Sequence, residues 1–164
     1  MSLVTDRIFF EALKRDDTLM AQVSGRIYNT AIPLPDVDAI NAPVPYIIVK
    51  FDGFENDAST KDDPFEGDGD IVVIGIEAAA ATREELATLM TRIRDVIHNQ
   101  FVWALDYEEG DGGGDSFRDW VISSGDEVLD VVPYDYMLTG TAIQYDSLKP
   151  CYWQSLSYRC DTRR

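Results

Sequence analysis

The chain has 164 residues, 45% of them hydrophobic, which suits one folded domain with its own core and argues against a disordered chain. Thirty acidic residues against 14 basic ones leave a formal charge of −16. A surface so acidic repels nucleic-acid phosphates and avoids an anionic membrane, so tight binding to either is not expected. It suits plain solubility, calcium, or a surface past which DNA slides without sticking. The start, Met1 to Arg7, lacks a basic segment followed by an apolar one, so no signal peptide is expected. No apolar run approaches the roughly 20 residues of a membrane span. Cys151 and Cys160 are expected to stay reduced, although two strands could bring them together. With His98 as the single histidine they do not make a zinc site.

In chain order, Ser2 to Arg15 reads as a helix: Val4, Ile8, Phe9, Ala12 and Leu13 form one stripe, with Arg7, Glu11 and Lys14 on the other side. Asp16-Asp17 offers an N-cap for a short apolar run, Leu19 to Val23, closed by Gly25. Arg26-Ile27-Tyr28 reads as a brief extended piece. Four prolines between Ile32 and Pro45 forbid a continuous helix and predict an extended crossing that ends at the strand Tyr46 to Phe51. The acidic, glycine-bearing stretch Asp52 to Gly69 joins two strong strand signals, so an extended hairpin arm or a disordered flap is expected.

Asp70 to Glu77 is apolar on both faces and rich in β-branched residues, the pattern of a buried central strand. Ala78 to Ala81 lead from it to Thr82-Arg83-Glu84-Glu85, a capping box: the Thr82 hydroxyl can accept from Glu85 N–H while the Glu85 carboxylate accepts from Thr82 N–H. Leu86, Leu89, Met90, Ile93, Val96 and Ile97 then follow the spacing of one buried helix face. Phe101 to Leu105 is apolar and expected to pack back on the core. A second acidic, glycine-rich loop runs over 106–116. Phe117 to Ile122 and Val128 to Val132 are candidate short strands, Tyr136 to Tyr145 a better one, and Lys149-Pro150 turns the chain into a last alternating strand, Tyr152 to Arg159. With no repeat and no linker, the expectation is a single domain over 1–164 of the α+β class. It has an antiparallel sheet of four to six strands, with two main helices packed on one face.

Chemistry is hard to find in this chain. His98 lies near the expected end of the helix, where a charged ring favours the dipole, and no nucleophile or carboxylate stands beside it in sequence. Asp62 to Asp70 superficially resembles a calcium loop, but Pro64 takes the third ligand position and strands flank it, so it is read as a solvated acidic loop. Gly110 to Asp115 lacks the lysine of a phosphate cradle and carries two aspartates that would repel one. Trp103, Trp120 and Trp153 sit in apolar stretches and are read as core. Neither an enzyme nor a cofactor is expected.

Arg26-Ile27-Tyr28, the proline-rich crossing, and Ala42-Pro43-Val44-Pro45-Tyr46-Ile47-Ile48-Val49 resemble the small tail-completion proteins of long-tailed phages and prophages, also known as tail terminators or head–tail joining proteins. The resemblance runs from about Leu3 to Asn99 and follows that family's order: a helix, an R-I-Y piece, a P-Y-I strand, a variable loop, a second strand and an amphipathic helix. It implies a ring, commonly of six copies, that caps the tail tube, stops its polymerisation and meets the head connector. Such a protein acts in the host cytoplasm during assembly and then in the virion. On this view Phe54, Asp57, Asp62, Asp63, Phe65, Glu66 and Asp68 are candidate oligomer or tube contacts, with Phe54 and Phe65 as anchors; a solvated loop is the other reading of the same stretch. Two other readings stay open: an acidic DNA mimic that occupies the site of a nucleic-acid-binding enzyme, and a calcium-dependent binding module.

Overall fold

In a computed structural model of the chain, residues 5–30, 43–57, 69–106 and 133–163 are described. The sheet is built outward from β3, Gly69–Ala80, in which Val72, Ile74, Ile76, Ala78 and Ala80 alternate onto one face and are fully buried. β2 (Tyr46–Asp57) pairs antiparallel with β3 on one side, and β6 (Cys151–Arg163) does so on the other. The alternation is passed across the ladder. Ile47 and Val49 of β2, and Leu156 and Tyr158 of β6, fall on the same face and join the same cluster.

That face is covered by helices. α1 (Thr5–Lys14) contributes Phe9, Ala12 and Leu13; α2 (Asp17–Gln22) contributes Leu19, with Val23 just past its end. α3 (Arg83–Asp106) contributes Leu86, Leu89, Met90, Ile93, Val96 and Ile97, the stripe its spacing predicts. Phe9 meets Tyr158 with ring centroids 5.3 Å apart, so the first helix is anchored to the last strand. Each of these larger side chains adds roughly 1.5–3 kcal/mol of transfer free energy on burial.

The class is α+β as expected, but the sheet is mixed. β1 (Ile27–Asn29) runs parallel to β2, with Ile27 opposite Ile47 and Asn29 opposite Val49. A parallel neighbour needs a connection of a dozen or more residues, and 30–45 supplies that length. The order is β1-β2-β3-β6-β4, with β4 (Pro133–Gly140) and β5 (Gln144–Asp146) sharing one edge of β6.

Several boundaries move for local reasons. α1 ends at Lys14, one residue short of the expected Arg15; residues 2–4 lie outside the described residues. The alanines at 78–80 extend β3 instead of bridging to the helix, because each opposes a residue of β6. The stretch expected as an arm or a flap has a paired base: β2 reaches Asp57 and β3 starts at Gly69, with a register shift between Phe51 and Gly53, while 58–68 lie outside the described residues. α3 continues through Phe101 to Asp106, so His98 lies within the helix and not near its end. The strand predicted over Tyr136 to Tyr145 breaks at 141–143. There Thr141 mends the gap: its N–H donates to Ser155 O at 3.0 Å and its hydroxyl accepts from Ser155 N–H at 3.1 Å. The stretches Phe117 to Ile122 and Val128 to Val132 fall outside the described residues.

The caps also differ in detail. Glu85 N–H donates to Thr82 Oγ at 3.2 Å, as the capping box requires, but the Glu85 carboxylate accepts from Ala81 N–H at 3.3 Å, not from Thr82. Beyond α2, Ser24 takes the left-handed position at φ 51° and Gly25 follows at φ 73°. Ser24 N–H donates to Ala21 O at 3.3 Å and Gly25 N–H to Met20 O at 2.9 Å, closing the helix with both residues.

Asp16 ties two helices together. Its Oδ1 accepts from Leu19 N–H at 2.7 Å, capping α2, and from Arg92 Nε at 3.0 Å, while a second Arg92 nitrogen donates to Oδ2. Burial pushes the Asp16 carboxyl up, but the bonds from Arg92 and Leu19 outweigh it and hold the carboxyl below its ordinary value. A depressed folded-state pKa contributes stability above the unfolded value of roughly 3.9, and that contribution is lost as pH falls through the folded value. Asp16→Ala is therefore expected to cost about 1–2 kcal/mol at neutral pH, with the deficit narrowing below about pH 4, as read by urea unfolding at each pH. Gly25→Ala, which forces a Cβ into a left-handed position, is expected to lower stability by about 1 kcal/mol in the same assay.

Candidate assembly interface

The described parts of the motif that carries the resemblance pack together. Arg26 Nε donates to Pro45 O at 2.9 Å and Ile47 N–H donates to Arg26 O at 3.0 Å, so the R-I-Y and P-Y-I pieces lie side by side at the start of β1 and β2. Thr30 N–H closes the other end on Val49 O at 2.7 Å.

On the face of the sheet opposite the helices, Tyr46, Ala79 and Cys151 form a second buried cluster, flanked by Tyr28, Val44, Ile48 and Trp153. Trp153 is half-buried at the margin of this second cluster and outside the main core; the side chain of Trp103 and all of Trp120 lie outside the described residues. Lys50 and Glu77 pair across β2 and β3 at 3.8 Å. The Asp52 carboxylate lies directly over Gly75, in the space that any larger residue's Cβ would need, and the Lys50 stem borders the same space. Polar groups therefore cover the centre of this face.

Tyr46 and Cys151 are the perturbed groups of this cluster. Burial first, then the negative charge of Glu77, Cys151 and Asp146, pushes the Tyr46 phenol up to about 12. Burial pushes the Cys151 thiol up as well, helped by Asp146 and Glu77 and opposed by Lys149. The pairing of Cys151 with Cys160 left open by the sequence does not fit the fold. Both lie on β6, nine residues apart, and a strand rising about 3.3 Å per residue holds them far beyond disulfide reach.

At one end of the sheet the β5–β6 turn is firmly built. Asp146 Oδ1 accepts from Leu148 N–H at 3.0 Å and from Lys149 N–H at 3.3 Å. The Tyr145 and Tyr152 rings pack tilted at 53° with centroids 5.0 Å apart, and Lys149 Nζ sits 4.6 Å from the centre of the Tyr46 ring. Leu148 at the tip is 85% exposed and Tyr145 is 57% exposed.

The other end carries the arm. Phe54 lies on β2 beyond the register shift and is 48% exposed; Asp57 is the last residue of β2. The remaining sequence-predicted contacts, Asp62, Asp63, Phe65, Glu66 and Asp68, lie outside the described residues, as does most of the stretch that resembles a calcium loop. Among the described residues no group of three metal-ligating side chains converges. The register gathers Glu55, Asp57, Asp70, Asp135 and Asp161 at this end, together with Arg159 and Arg163. Sequence reasoning singles out Phe54 and misses Tyr145 and Leu148. The signal available was an apolar residue inside a polar turn, Asp146-Ser147-Leu148-Lys149.

A chain from the virion of a native gene transfer agent particle has a similar fold, with a TM-score of 0.52 and 13% identity, covering 98% of this chain and 95% of that one. The likeness is one of fold. No family model and no curated protein matches the sequence. The elements of the candidate interface therefore belong to an architecture that also occurs in a virion component.

Because Cys151 is 2% exposed and its thiol is raised, iodoacetamide at pH 8 is expected to alkylate it at least about tenfold more slowly in the native chain than in urea, as followed by peptide mass spectrometry.

Proposed function

We propose that this chain is a structural component of a phage-like particle, a tail terminator that forms a ring at the head–tail junction, caps the tail tube and lets DNA pass. The observation that carries this reading is the pairing of the R-I-Y piece with the P-Y-I strand, set in a fold shared along nearly its whole length with a virion chain. The partners are further copies of itself, the tube protein and the head connector. The chemistry is architectural: no bond is made or broken.

The charge supports the same reading. A ring whose subunits each carry −16 places part of that charge around its channel, and DNA passing through meets repulsion in place of adhesion. The segments 31–42, 58–68 and 107–132 hold 14 of the 30 acidic residues and 2 of the 14 basic ones, which leaves the rest of the chain far nearer to balance. The arm that starts at Phe54 and Asp57 is assigned to the tube.

Two measurements test the reading. Mixed with the tube protein of the same genome, the chain is expected to shorten tubes and mark their ends in electron micrographs; tubes of unchanged length and bare ends overturn it. Deleting 59–68 is expected to abolish capping while leaving the self-assembled mass, by light scattering, as in the intact chain. Loss of self-assembly on that deletion overturns the tube assignment of the arm.

A further inference from the structure

We infer that Gly53 is the positioning residue of the arm: it lets the chain set Asp52 outside the β2–β3 ladder, and so keeps Phe54 on the helix side of the sheet. The bearing on capping rests on the reading above that assigns the arm to the tube; the placement of Phe54 does not. Alternation along β2 starts with Ile47, Val49 and Phe51 on the helix side, opposite Ala78, Ile76 and Ile74. Carried on unbroken, it would give the next helix-side place to Gly53 and turn Phe54 to the open face. The observed pairs are instead Phe51 with Ile74, Gly53 with Val73 and Phe54 with Val72, so Asp52 is surplus and the phase is reset. Phe54 thereby shares a face with Val72, which is fully buried in the helix-side core.

Two glycines accommodate the surplus residue. Gly53 takes φ 153°, a backbone angle that residues with a side chain rarely adopt. The space around it is open, so what excludes a side chain there is the backbone and not crowding. Across the ladder Gly75 leaves free the space that the Asp52 carboxylate fills, beside the Lys50 stem. Without the bulge, Asp52 would pair with Val73, Gly53 with Val72 and Phe54 with Ile71, and every later residue of β2 would change face. Phe54 is itself 48% exposed, so its own contacts are a weak hold on its side of the sheet; the backbone one residue earlier is the stronger one.

The test follows the Phe54 side chain by NMR in the full chain with labelled methyl groups. The wild type is expected to show contacts from the phenyl ring to the Val72 methyls. Gly53→Val is expected to move them to the Ile71 methyls. The same variant with Asp52 deleted is expected to return them to Val72, because no surplus residue is left to place. Deleting Asp52 alone is expected to keep the Val72 contact, and it decides the inference with the double variant if Gly53→Val fails to fold. Persistence of the Val72 contact in Gly53→Val, or its loss when Asp52 is deleted, overturns the inference. Tube capping reads the other question: it is expected to fall at least about tenfold in Gly53→Val and to return in the double variant. A phenyl ring that changes face while capping stays unchanged leaves the positioning of Phe54 standing and removes the arm from the tube.

Discussion

Every strand in this fold takes its place from the ladder between β3 and β6, whose backbone pairs run without a break from Gly69–Arg163 to Ala80–Tyr152. Because successive side chains point to opposite faces, that unbroken register decides which half of each strand is buried. A slip by one residue would turn Ile74, Ile76, Leu156 and Tyr158 away from the helices and expose the whole core. β2 and β1 extend the ladder on one side and β4 and β5 on the other, so the positions of the arm, the turn and the R-I-Y piece all follow from it. The helices then serve as the lid of a face the sheet has already defined. Asp16 and Arg92 fix α2 to α3, and Phe9 against Tyr158 fixes α1 to the last strand.

What could be read from the residues was whatever depends on a short window. The stripe from Leu86 to Ile97, the capping threonine and the β-branched run of β3 are each local patterns with one physical solution, and each appears where its spacing puts it. What could not be read depends on partners distant in sequence. Ala78, Ala79 and Ala80 look like a neutral bridge until β6 lies opposite them. Lys50 to Asp57 contains residues that disfavour strands, yet pairing with β3 carries the ladder through them. The three residues of β1 are too few to show their direction, and only the neighbouring β2 makes them parallel.

The candidate interface divides the same way. The arm attracts notice because its acidic residues and phenylalanines are dense in sequence, and Phe54 stands at its base as an exposed apolar side chain. Tyr145 and Leu148 escape notice because a strand end and a turn are ordinary neighbours for them. Their exposure emerges only when Tyr152 and Asp146 hold them outward.

The proposed collar would have a composition as well as a shape. Particles purified from a cell that carries this sequence, digested and quantified by mass spectrometry against their capsid protein, measure the architectural role most directly. The account predicts that the chain is present in intact particles at a fixed low copy number per particle, equal to one ring. Particles that package DNA and bear complete tails, yet contain none of this chain, would contradict it.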